Sequence, residues 1–412
     1  MQKTFFLIFF SVCFSSLCSG QSGSFNNDLD ALYKTLEKTP SFKHQIKGQK
    51  RKAYDLLFEH LKNQPVKPSA FDSLFRLSAL LWPIKDNHLG LYEVPVKKPE
   101  TSQSDTGSNK KYINTSTTKR HPVAVVNVDS LESKLLLKPV NDIEGVYYQN
   151  DRFRIGVYRT AVKDSLIGVI LYSSLPIWNR GEVAVVLKSI TPHSYRGVYA
   201  NLYTKDLFFI KTDRFSNGKL IFGNKKGQQV TFSDLYNKPD FELKTVGIGI
   251  KYLRLGNFGT SNTALGKSSA FYNAVKDSLN SENLIVDLRN NPGGGFKASG
   301  KFLSLLKAYI KRGKLYIIIN FRTFSNAEQF VLKLKGRKNV ITLGQTTNGT
   351  LTYGNNYGRS VVLPGGRYQI YITDMNGSRE MLAYEEVGIS PDVELKQNSD
   401  WITQVTDIIG KQ

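Results

Sequence analysis

Cysteine is almost missing from this chain: of 412 residues only Cys13 and Cys18 carry a thiol, and both lie near the N-terminus. A chain cut just beyond them would hold none, which excludes disulfides, thiolate metal ligands and a cysteine nucleophile together. Stability then has to come from ordinary core burial, which this length permits. No Asp, Glu or His cluster has the spacing of a metal site such as HExxH, so neither a metal nor a cofactor is expected. Zinc-finger spacing and an arginine-rich helix are also lacking. The apolar run near the N-terminus is short for a membrane span.

That run is nevertheless informative. MQKTFFLIFFSVCFSSLCSGQS has one lysine, an apolar stretch and then small residues, the order of a secretory signal peptide cut near Gly20. Cys18 raises the alternative of a lipid anchor, but Leu17 occupies the position before the cysteine where a small residue is needed. The expected location is therefore outside the cytoplasm: periplasm, cell envelope or medium. The formal net charge is +22, from 56 Lys plus Arg against 34 Asp plus Glu. Such an excess first suggests nucleic acid. Its even spread and the export signal favour instead a basic surface facing an anionic envelope or acidic substrates.

The chain divides by pattern. Residues 21–96 form a helical region: Leu29, Leu32, Tyr33 and Leu36, then Tyr54, Leu57, Phe58 and Leu61, recur at helical spacing. Ser69 to Trp82 repeats the pattern, and His88 follows in an Asp-Asn-His-Leu-Gly turn. Residues 97–120 are Lys, Ser, Thr, Asn and Gly with little to bury, a flexible polar linker or loop. Residues 121–242 read as a β-rich module of short apolar runs split by turns. From 243 to 412 strands and helices alternate, as in a mixed α/β layer fold.

The most informative stretch is Leu284–Phe330. Leu284–Leu288 suits a strand buried on both faces. Asn290–Gly295 is a turn with three consecutive glycines able to expose their N–H groups. Lys314–Asn320 is a second strand, after which Ser325-Asn326-Ala327-Glu328 opens a helix. A serine leaving a strand and entering a helix is either a cap or a rigidly held nucleophile. Spacing alone leaves both open.

NLIVDLRNNPGGG followed by TFSNAEQF resembles the signature of the S41 serine peptidases, the tail-specific, C-terminal processing and tricorn-core proteases. IKDNHLG at 84–90, LGQTTNGT at 343–350 and YEEVGISPDVEL at 384–395 resemble three further segments of that family in order. The resemblance implies a mixed α+β, ClpP/crotonase-like catalytic domain and an exported endopeptidase acting on a peptide or protein substrate. It implies Ser325 as nucleophile. Thr350 stands where the tail-specific branch has its lysine base, so the likeness runs to the tricorn-like branch, with His88 as base and Glu385 as the acid orienting it. Glu386 is the rival for that acid. Backbone N–H groups of Gly293 or Gly294 and of Asn326 would form the oxyanion hole. Asn87 replaces the serine before the histidine in the tricorn core, and its amide is expected to support the relay. Asp287 and Arg289 are expected to pin the strand end. No PDZ-like binding loop is found between 130 and 240, so C-terminal specificity is not implied. The competing reading is a non-catalytic member of the fold that binds a peptide or another ligand.

Overall fold

The computed structural model describes residues 15–65, 69–95, 121–227, 232–233, 235, 237–355 and 358–411, with side chains from Ser24 onward. Residues 1–14 of the stretch read as a signal peptide (1–20) and the polar tract at 97–120 lie outside them.

Four helices come first: α1 Ser15–Leu36, α2 Pro40–Gln45, α3 Gln49–Asn63 and α4 Ala70–Ser78, the last continued by one 3₁₀ turn, Ala79–Leu81. Leu29, Leu32 and Leu36 of α1 are fully buried, so the spacing read from the sequence is the buried stripe. Two breaks divide what reads as a helical region. Thr39 caps α2, whose first residue is Pro40, and Gly48 takes φ 56 before α3.

β1 Gly90–Glu93 and α5 Val128–Leu136 lead into a run of antiparallel strands. These are β2 Gly145–Gln149, β3 Phe153–Arg159, β4 Ser165–Ser173, β5 Val183–Thr191, β6 Ser194–Ala200, β7 Leu207–Arg214, β8 Lys219–Leu220 and β9 Gly223–Lys225. A second series follows: β10 Phe241–Gly247, β11 Ile250–Leu255, α6 Asn262–Val275, β12 Asn283–Asp287, α7 Phe296–Tyr309, β13 Lys314–Ile319, α8 Asn326–Leu332 and β14 Val340–Gly344. The chain closes with β15 Ser360–Val362, β16 Tyr368–Tyr371, α9 Arg379–Leu382, β17 Val393–Glu394 and α10 Trp401–Gly410.

The strands form two sheets: eleven in the order β15-β16-β1-β7-β6-β5-β4-β3-β2-β9-β8, and six in the order β10-β11-β12-β13-β14-β17. The class is mixed α/β, as the sequence reading has it. The larger sheet departs from an isolated module at 121–242. β1 from the N-terminal region pairs antiparallel with β16 and β7, so a hairpin drawn from beyond residue 358 completes the sheet. One continuous core joins it to helices α1–α4: Leu32, Tyr54, Leu74 and Leu77 belong to the same buried cluster as Ile155, Val169, Val198 and Ile370.

In the smaller sheet β11 to β14 run parallel. Alternate residues feed separate cores. Leu284 and Val286 of β12 face Phe302, Leu306 and Phe330 from α7 and α8, while Ile285 packs with Tyr316 and with Trp401 of α10. A continuous apolar run is the sequence cost of that double burial. Asp287 is the exception at the strand end. It is fully buried and receives Arg289 Nη2 at 2.6 Å and the Tyr252 hydroxyl at 2.9 Å. The guanidinium beside it holds its carboxyl below the usual range against the opposing effect of burial. Both residues pin the strand end.

Candidate active site

After β13 the chain turns at 320–325 and is clasped to the turn after β12. Thr323 Oγ1 donates to Leu288 O at 3.0 Å, and Phe324 N–H donates to Asn291 O at 3.0 Å. Ser325 follows with φ 53 and ψ −122, the left-handed half of conformational space for a residue with a Cβ. A backbone held there typically costs about 1–3 kcal/mol and persists only where its surroundings impose it. The constraint is Glu328, one turn into α8 and fully buried. Its carboxylate accepts from Ser325 N–H at 3.0 Å, Thr350 N–H at 2.9 Å, Gly349 N–H at 2.7 Å and Thr347 Oγ1 at 2.6 Å. Burial still pushes this carboxyl up, to about 7. The serine turn and the 347–350 loop are therefore held by one side chain. The Ser-x-x-Glu spacing of a capping box was the available sequence signal for it.

The glycine turn presses on the same place. Gly293 has φ 81, and a Cβ there would lie 2.7 Å from Phe324 O and 2.9 Å from Asn326 N; at Gly294, φ 134, it would lie 1.8 Å from Phe258 O. Neither position admits another residue unshifted. The two amides differ in availability. Gly293 N–H already donates to Asn291 Oδ1 at 2.8 Å, which removes it as an oxyanion donor. Gly294 N–H and Asn326 N–H have no partner among the described residues, the second because it is an orphan donor of the helix N-terminus.

The strap before β1 brings the imidazole. His88 Nε2 stands 3.1 Å from Ser325 Oγ, a contact joining residues 237 positions apart. Burial pushes the His88 pKa down to about 4, so the ring is neutral at neutral pH and able to accept a proton. Its backbone N–H donates to Asp86 Oδ1 at 3.1 Å. Asp86 is fully buried, takes the Thr373 hydroxyl at 2.7 Å, and is pushed up to about 6 by burial.

Glu385 is also fully buried and close, but its contacts differ from those expected of an acid on the imidazole. Oε1 accepts from Asn87 N–H at 2.8 Å, and Oε2 accepts from Leu351 N–H at 3.0 Å and Thr352 N–H at 2.8 Å. Its role in this state is to join the histidine strap to the 351–352 backbone. His88 Nδ1 is buried without a partner among the described residues. One ligand atom each from Asp86, His88 and Glu385 lies within 4.8 Å of the others. Both carboxylates accept from protein donors, Asp86 from His88 N–H and the Thr373 hydroxyl and Glu385 from three backbone amides.

The Asn87 side chain donates to Gly349 O at 2.9 Å, so it reaches the loop, while its backbone amide meets Glu385. Glu386 is set apart: it pairs with the buried Lys211, which also donates to Ile84 O. That pairing ties the acid loop to the histidine strap and leaves Glu386 no access to the ring. Asp392 meets Lys335 and accepts from Thr342 N–H at 2.9 Å, a local tie behind β14.

No family model matches the sequence, and no curated protein does. Solved structures do resemble the chain. The photosystem II D1 C-terminal processing protease is 13 % identical over 94 % of this chain and 97 % of its own, with a TM-score of 0.38. Mature CPAF is 13 % identical over 95 % and 97 %, with a TM-score of 0.41. The tricorn protease is 12 % identical over 95 % of this chain and 36 % of its own, with a TM-score of 0.39. Among the described residues no helix is long and apolar enough to cross a membrane.

Proposed function

We propose that the protein is an exported serine peptidase of the tricorn-like S41 kind. The observation that carries the proposal is the 3.1 Å approach of a neutral, buried His88 to a conformationally strained Ser325. In the reaction, Ser325 Oγ attacks a peptide carbonyl while its proton passes to His88 Nε2. The oxyanion is received by Gly294 N–H and Asn326 N–H; one such donor is typically worth about 3–4 kcal/mol. His88 then returns the proton to the leaving amine, and water, deprotonated by the same nitrogen, releases the acyl group. Glu385 and Asp86 supply the negative field for the imidazolium, and rotation of either carboxylate toward Nδ1 in the substrate complex completes the relay.

Labelling with a fluorophosphonate probe tests this reading. Wild type should label, whereas S325A and H88A, folded by circular dichroism, should not. Labelling that persists in S325A would overturn the assignment. A binder without catalysis is the second reading, favoured by the unpartnered His88 Nδ1. It predicts a folded wild type that ignores the probe.

A further inference from the structure

Beside the histidine strap two cavities share His44 as a common wall. One, about 410 Å³, is lined by Lys50, Lys85 and Arg379 with His44, Gln45 and Leu382; the other, about 370 Å³, by Lys38 and Lys43 with Tyr353. Neither wall contains an Asp or Glu. The five cations are exposed, and none takes part in an ion pair among the described residues. Elsewhere the chain pairs its cations closely, as at Arg51 with Glu37 and Lys138 with Glu144. A concave wall of one sign, without counter-charges, concentrates field in the cavity and favours anions there.

The cavities and the site are one bonded block. Lys85 directly precedes Asp86, and its N–H donates to Gln45 Oε1 at 3.0 Å while its carbonyl accepts Gln45 Nε2 at 2.8 Å. His44 Nδ1 lies 2.9 Å from the Tyr353 hydroxyl, and Tyr353 follows the Leu351-Thr352 amides that hold Glu385. Leu382 stands three residues before Glu385. The cations thus come from three separate parts of the chain that all meet the catalytic strap.

We infer that this paired basic cavity binds the side-chain carboxylates of an acidic peptide segment, selecting Asp/Glu-rich substrates. As a statement of substrate class this rests on the peptidase reading; the anion preference itself does not. Two cavities side by side suit successive carboxylates on an extended chain better than one small anion.

The test uses fluorescence anisotropy on the full chain carrying S325A, so that nothing is turned over. A labelled Asp/Glu-rich peptide should bind at least about tenfold more tightly than its Asn/Gln counterpart, and high salt should erase the difference. Adding K43Q, K50Q and R379Q should remove the preference; without S325A, the triple variant should keep its fluorophosphonate labelling. Equal binding of the two peptides, or a preference untouched by the triple change, would overturn the inference. So would free glutamate that displaces the peptide at equal carboxylate concentration, which would mean a small-anion site. Loss of labelling in wild type with the preference intact would sink the peptidase reading and leave the acidic-peptide site standing.

Discussion

Strands β11 to β14 run parallel and are buried on both faces, whereas the larger sheet is antiparallel and two of its strands beside the site, β1 and the first half of β7, alternate buried with part-exposed residues. The two sheets also contribute differently to the site. The parallel sheet ends in tight, over-constrained turns: Gly293–Gly294 after β12 and Ser325 after β13. The antiparallel sheet and its helices deliver His88 from a strap and anchor Asp86 through Thr373. Residues needing fixed backbone geometry come from the sheet whose strands cannot shift without disturbing two cores. Asp86, His88 and Glu385 come from loops, and both carboxylates are anchored there by hydrogen bonds. The strained serine turn and the group of Asp86, His88 and Glu385 thus come from different parts of the fold.

The strongest way to break this contrast is G294A. A Cβ placed 1.8 Å from Phe258 O forces the glycine turn away from Ser325. Loss of about 3 kcal/mol or more in urea unfolding and loss of labelling are expected. A stable, reactive G294A would show the turn to be compliant.

E328Q comes next. Glutamine cannot accept from all four donors, so labelling should slow by about 10–100-fold, with the serine turn loosened. Linkage adds a second readout. The folded carboxyl is raised to about 7, so the native state holds the proton longer than the unfolded chain. Stability from this group therefore falls as pH rises from about 4.3 to 7. Denaturation of E328Q should lack that fall, and an unchanged pH profile would remove Glu328 from this role.

S325G sharpens the comparison from the other side. Glycine adopts φ 53 without strain, so S325G should be more stable than S325A by about 1 kcal/mol, with labelling absent in both. Equal stability would mean that the serine backbone stores no strain.

The smallest change is in pH dependence. His88 is held at about 4, below its ordinary value, so the base stays competent as pH falls and fails only near 4. The same shift removes stability as pH drops from about 6.5 toward 4, because the unfolded chain then binds a proton that the folded one refuses. A labelling rate that halves near pH 6.5 would place His88 in a wetter setting than this.

Legibility followed the range of the forces involved. β12, β13 and the helix opened by Ser325 could be read because a doubly buried strand needs a continuous apolar run and a turn needs glycine. The Leu-Pro-Gly-Gly turn between β15 and β16 is a local feature, but their place beside β1 is not, since nothing local records which sheet a strand joins. β6 carries no such continuous run, because Ser194–Ala200 mixes Arg and Ser with its buried Tyr195, Val198 and Tyr199. At the site, His88, Ser325 and Glu385 were each legible as candidates. The detail that Glu385 faces three backbone amides, and Gly293 an asparagine, was not.

The sequence by itself determined the elements around the serine: the strands, the glycine loop and the helix start are local features, each written in a few consecutive residues. Only the tertiary structure decided the rest. The His88–Ser325 contact, the engagement of Glu385, the pairing of Glu386 with Lys211 and the gathering of five cations beside the strap all join segments far apart in the chain. Such contacts are chosen by how two cores close around each other, and no single segment carries that information.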